Sequence, residues 1–145
     1  MTLEQIHLVR TSWQQLRPLQ TVAADLFYGR LFEIAPDTRP MFKRDIHVQG
    51  AMLMQTLDVV VASLDRLDAV LPTAAKLARR HVDYGVQPPH YDSVGMALLW
   101  TLEQALGADF KPALRDAWAA AYGALAGAMK AAAYTPAAAA ATPAD

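Results

Sequence analysis

The stretch Lys76-Leu-Ala-Arg-Arg-His-Val-Asp-Tyr-Gly-Val86 decides the reading of this chain. His81 follows Leu77 by one helical turn, so its imidazole stands beside an apolar side chain. Gly85 supplies a helix stop just beyond it. Arg79 and Arg80 place two cations immediately before the ring. An imidazole so placed is a candidate axial ligand for iron, and nearby arginines are candidate partners for the carboxylates of a porphyrin. The plainer reading is a hydrogen-bonded core or boundary histidine, which is the commoner role of a lone His on an apolar face. Spacing alone leaves both open.

Outward from that stretch, the chain reads as helix throughout. Nine prolines and seven glycines fall mostly where helices start or stop. Thr2 with Gln5 makes a capping box for a first helix ending near Leu16, and Pro18 marks the break. A second helix is expected from about Leu19 to Ile34, with Phe27, Leu31 and Ile34 on one side. Pro36 and Pro40 bracket a short helical turn ending at Met41-Phe42. The next helix runs from about Ile46 to Leu64, with Gln49, Leu53, Leu57 and Val60 sharing a face. Val59-Val60-Val61 has strand character, but its flanks lack a period of two. Further helices are expected over Asp68 to Tyr84, from Pro88-Pro89 to Leu106, and from about Pro112 to Ala133. Six to seven helices with short links make an all-α domain over residues 1–133. Residues 134–145 are an Ala/Thr/Pro tail of low complexity, expected to be disordered.

Composition narrows the function classes. At 145 residues, one domain can bury a sizeable core. Thirteen Lys and Arg against 14 Asp and Glu leave a net charge of −1. No basic patch points to nucleic acid. Cysteine is absent, which removes disulfides, thiolate metal sites, thiol nucleophiles and thioether-linked cofactors together. The first residues lack the basic start and long apolar run of a signal peptide. The weakly polar run from Ala117 to Met129 is too short to span a bilayer. A cytoplasmic protein that binds neither membrane nor nucleic acid is the expectation.

Other candidate residues are few. His7 and His90 read as surface residues. His47 and Gln49 are about 200° apart around a helix, so they do not face one cavity together. Trp13, Trp100 and Trp118 read as core. Tyr28 carries a hydroxyl that needs a partner when buried; a backbone carbonyl is the plain partner, a ligand pocket shared with Gln49 the sharper one. There is no His-Glu-x-x-His pair, no Gly-rich phosphate loop and no nucleophile elbow around Ser12, Ser63 or Ser93. Any chemistry falls to a cofactor.

Taken in order, Phe27-Tyr-Gly-Arg-Leu-Phe32, Arg39-Pro-Met-Phe42, Arg79-Arg-His-Val-Asp-Tyr-Gly-Val86, His90-Tyr-Asp-Ser-Val-Gly95 and Ala117-Trp-Ala-Ala-Ala-Tyr-Gly123 resemble the bacterial single-domain globins. These are similar to the heme domain of flavohemoglobins and to Vitreoscilla-type hemoglobin. The resemblance spans about Leu3 to Ala133 and implies a globin fold around a heme b pocket. It implies that His81 binds the iron, that Phe42 wedges against the porphyrin, and that Tyr28 donates to the bound ligand. By the same likeness Gln49 takes the distal position, with His47 the alternative if the link before it is shifted by two. Leu53 lies one turn on. Arg80 matches a basic residue near a heme propionate, and Leu77, Val86, Tyr91 and Leu98 complete the pocket. In flavohemoglobins the proximal histidine is linked to a tyrosine and a glutamate. Tyr91 matches the tyrosine, but Ala133 stands where the glutamate is expected, which leaves weak peroxidase activity at most.

The implied function is reversible binding or transport of dioxygen, with CO and NO as further ligands and high oxygen affinity. Nitric oxide dioxygenase activity would draw on a separate NAD(P)H-dependent reductase. A monomer or weak homodimer is expected. Two other classes stay open: a heme-based gas sensor acting through a partner protein, and a heme-free globin-fold interaction module.

Overall fold

The computed structural model describes residues 1–134 apart from Arg44. Six α-helices follow one another: α1 (Leu3–Leu16), α2 (Gln20–Ile34), α3 (Ile46–Ala62), α4 (Leu71–Asp83), α5 (Pro88–Leu106) and α6 (Pro112–Tyr134). A 3-10 turn, Pro36–Met41, stands in a seventh place between α2 and α3. No strand occurs among the described residues. Val59-Val60-Val61 lies inside α3. The helix expected from Asp68 begins instead at Leu71, because Leu64–Ala69 is a separate 3-10 turn broken by Arg66 at φ −148°, ψ 53°. Helix α6 runs one residue past the expected boundary at Ala133, and residues 135–145 of the tail lie outside the described residues.

Local chemistry explains the ends that matter. Thr2 Oγ1 accepts from the Gln5 backbone N–H at 3.1 Å, and Gln5 Oε1 accepts from the Thr2 N–H at 3.0 Å. This reciprocal box satisfies two donors that the first turn of α1 leaves open. Gly85 has φ +94°, a backbone region costly for a side chain with a Cβ. That conformation lets the Gly85 N–H bond the Val82 carbonyl and the Val86 N–H bond the His81 carbonyl, both at 2.9 Å. The paired bonds are a Schellman closure, so the stop signal read in the sequence also fixes the turn that carries His81.

Two apolar clusters form. The larger joins α1, α2, α3, α5 and α6 through residues such as Val9, Trp13, Phe27, Leu31, Leu57, Leu98, Leu102 and Trp118. The smaller joins α4, α5 and α6 through Ala74, Ala78, Tyr91, Ala126 and Met129. Tyr122 and Leu125 pack against both. Two buried polar side chains pair with each other: Trp118 Nε1 donates to Ser12 Oγ at 2.8 Å, and that hydroxyl donates to the Val9 carbonyl. Trp100, expected in the core, is only half-buried, and the Arg30 guanidinium lies 5.1 Å from its ring centroid. Helical spacing alone does not tell a core ring from one covered by a cation.

Helices α2 and α3 cross at a contact only glycine permits. A Cβ on Gly50 would lie 2.9 Å from the Ala24 Cβ. The Ala24 methyl is fixed to its backbone and has no rotamer to escape into. Gly50→Ala is therefore expected to force the helices apart and destabilise the chain by about 1–3 kcal/mol, measured by urea unfolding.

Candidate functional site

The two clusters leave a cavity between them. It opens to solvent at its mouth, and about 160 Å³ of its interior is accessible to a water-sized sphere. Helices α2 and α3 contribute Phe27, Leu31, Leu53, Thr56 and Leu57 to its wall. Met41 and Phe42 come from the 3-10 turn and its end, Leu77 and His81 from α4, and Val86 from the link to α5. His90, Tyr91, Val94 and Leu98 of α5 and Tyr122, Leu125, Ala126 and Met129 of α6 complete it. The wall is almost wholly hydrocarbon, with two imidazoles on it, His81 and His90; both ring nitrogens of His90 are engaged in hydrogen bonds.

His81 is held in one tautomer. Its Nδ1 lies 2.8 Å from the Leu77 carbonyl oxygen. A carbonyl only accepts, so Nδ1 carries the proton and Nε2 keeps a free lone pair. Burial lowers the pKa of the ring, with the Leu77 bond opposing in part. A neutral imidazole with one free nitrogen is the form that binds a metal. No group of three or more His, Asp or Glu side chains gathers to hold a metal ion among the described residues.

Behind His81 stands a cluster of phenols. Tyr91 faces the imidazole with ring centroids 6.5 Å apart and planes at 23°, and Tyr134 meets Tyr91 edge-on at 6.3 Å. Tyr134 donates to the Val86 carbonyl at 2.5 Å, and Tyr122 donates to the Tyr91 carbonyl at 2.6 Å. The Tyr91 hydroxyl is buried with no hydrogen-bond partner among the described residues. Ala133 packs against the same cluster. Burial, with Tyr134 beside it, pushes the Tyr91 pKa up to about 12.

The expected distal pair is adjacent but set back from the cavity wall. Tyr28 is 4% exposed and sits among Phe27, Phe32 and Phe42, with its ring 5.2 Å from that of Phe42. Its hydroxyl donates to the Gln49 backbone carbonyl at 3.4 Å. Burial raises its pKa above the ordinary tyrosine range, partly opposed by the Gln49 side chain. His47 points elsewhere: it is exposed, with Nδ1 3.8 Å from Asp25 Oδ1 on a small groove between α2 and α3. Arg80 is exposed on α4 and does not line the cavity. The structure thus brings Phe42, Leu53, Leu77, His81, Val86, Tyr91 and Leu98 onto one wall, leaves Tyr28 and Gln49 just behind it, and leaves Arg80 outside.

The sequence profile of the globin family matches residues 25–129. This protein belongs to the globin family. The globin is 38% identical over 104 residues to the flavohemoproteins of Bordetella parapertussis and Bordetella bronchiseptica. That match covers 69% of the chain and 26% of each relative, so the globin spans about a quarter of the length of these curated relatives. Among solved structures, it superposes on an engineered carbene transferase variant of RmaNOD from Rhodothermus marinus with a TM-score of 0.83, at 27% identity, over 100% of this chain and 99% of that one. A bacterial globin from Campylobacter jejuni gives 0.76 at 27% identity, over 87% of this chain and 91% of that one.

His90 corrects the reading of it as a surface residue. Its side chain is 14% exposed, lines the cavity and bonds Asp37. Two prolines ahead of it suggested an open helix start; its partner lies too far along the chain for any local pattern to show. Tyr134 escaped notice because it opens a run of alanine and proline.

Proposed function

We propose that His81 would hold heme b in this cavity, and that the protein binds dioxygen, CO and NO. The free Nε2 lone pair of His81, presented by a locked tautomer into an apolar cavity, carries the reading. Heme, when bound, would supply an iron that takes a diatomic ligand reversibly. The remaining work falls to the chain. Phe42, Leu53, Leu77, Val86 and Leu98 exclude water and enclose the flat ring. Tyr91 braces the imidazole, and Arg80 pairs with a propionate at the solvent edge. The Tyr28 hydroxyl and the Gln49 amide donate to a ligand with partial negative charge. The Tyr28 bond to Gln49 is at the long limit for a hydrogen bond, so little is lost when the hydroxyl turns to a ligand.

Two donors favour high oxygen affinity and slow release. That suits oxidation of nitric oxide to nitrate by dioxygen, with a separate NAD(P)H-dependent reductase restoring ferrous iron. The likeness to RmaNOD, provisionally named a nitric oxide dioxygenase, supports this turnover. The deciding experiment is an absorption spectrum of the purified protein, ferric and then dithionite-reduced, with and without CO. A Soret band that shifts on CO addition is expected. No Soret band after hemin is added would sink the reading and favour a heme-free interaction module.

A further inference from the structure

One hydrogen bond crosses the cavity wall between the Pro36–Met41 turn and the start of α5. His90 Nε2 lies 2.7 Å from Asp37 Oδ2, between residues 53 positions apart. The other ring nitrogen, Nδ1, accepts from the Gln87 backbone N–H at 2.9 Å. With Nδ1 taken as an acceptor, Nε2 carries the proton and donates to the carboxylate. His90 is therefore fixed at both nitrogens while its side chain stays mostly buried against the cavity.

The turn it grips is part of that cavity. Thr38 and Met41 line it, and Phe42 follows directly. At the far end of the turn, the Met41 methyl lies 4.0 Å from where a Cβ on Gly85 would stand. The turn thus approaches Gly85 at one end and is bonded to His90 through the Asp37 carboxylate at the other. A short 3-10 turn has poor internal hydrogen-bond geometry and little stiffness of its own. Its own bonds, Thr38 N–H to the Ala35 carbonyl at 3.0 Å and Phe42 N–H to the Arg39 carbonyl at 3.1 Å, do not reach α5. The Asp37 carboxyl is held below the ordinary carboxylate range chiefly by the His90 bond.

We propose that the Asp37–His90 bond is a clasp: it holds the Pro36–Met41 turn, and with it Phe42, against α5, and so sets how long a planar tetrapyrrole stays in the cavity. The proposal rests on the heme reading above, and it makes Asp37 and His90 positioning residues that act through Phe42 and the cavity wall.

Asp37→Ala and Asp37→Asn test it. Asp37 is exposed, so both variants should fold. Asparagine keeps an oxygen that accepts from His90, and alanine does not. The first readout is hemin transfer from the ferric holoprotein to excess apomyoglobin. The second is amide hydrogen exchange at Thr38 and Phe42 in the heme-free chain. Asp37→Ala is expected to lose hemin roughly tenfold faster than wild type and to exchange faster at both amides, whereas Asp37→Asn stays within about threefold. Hemin loss at the wild-type rate in Asp37→Ala overturns the clasp and leaves heme binding standing. If wild type takes up no hemin, the heme reading fails separately; amide exchange then decides, and unchanged exchange in Asp37→Ala overturns the clasp as well.

Discussion

Replacing His81 with alanine is expected to abolish stable heme binding while leaving the helices in place. The side chain makes one hydrogen bond, to the Leu77 carbonyl, and that carbonyl sits inside α4. The Schellman closure uses the His81 backbone carbonyl, which the substitution keeps. Far-ultraviolet circular dichroism should therefore match wild type. The cavity, by contrast, keeps only His90, whose two ring nitrogens are already bonded. Removing a partner of a metal ligand costs about 10–100-fold in affinity, so removing the ligand itself should weaken hemin binding by more than about 100-fold. Imidazole in solution, small enough for the space left behind, should restore the Soret band. A His81→Ala protein with the wild-type spectrum and CO shift, without imidazole, would remove His81 from the site.

Tyr28→Phe is expected to release oxygen ten times faster or more, with a smaller change for CO. A hydrogen bond to a charged group contributes about 1.5–3 kcal/mol, which is roughly ten- to a hundredfold in affinity. CO carries less negative charge on its outer atom and depends less on that donor. Phenylalanine keeps the ring packed among Phe27, Phe32 and Phe42, so the comparison isolates the hydroxyl. It also removes a long bond to the Gln49 carbonyl at little cost. Stopped-flow oxygen release, with CO binding measured on the same samples, checks it. An unchanged oxygen release rate would take Tyr28 out of the mechanism.

Short-range patterns carried most of the fold. The Thr2–Gln5 box, the Gly85 stop and the proline breaks each act within a few residues, so each is visible in the chain. Leu77 beside His81 was legible because one helix turn fixes their relation, whereas Val86 came only from the resemblance to the family. Contacts between distant segments left no such trace. The Ala24–Gly50 crossing depends on how two helices approach, and an isolated glycine in a helical pattern does not announce it. His90 was misread because Asp37, which draws it inward, lies in a different element. Gln49, Leu53 and Leu57 do share a face, but only the two leucines reach the cavity wall, because Gln49 sits one turn back beside Tyr28.

The bond from Tyr134 to the Val86 carbonyl has a practical consequence. Composition changes at Ala133, which makes that residue the natural place to trim the chain. A protein cut there would lose the phenol that anchors the end of α6 to the loop beside His81. The Val86 carbonyl would lose its donor, and Tyr91 would lose the ring packed against its edge. A shortened version meant to keep the proximal side intact must end beyond Tyr134.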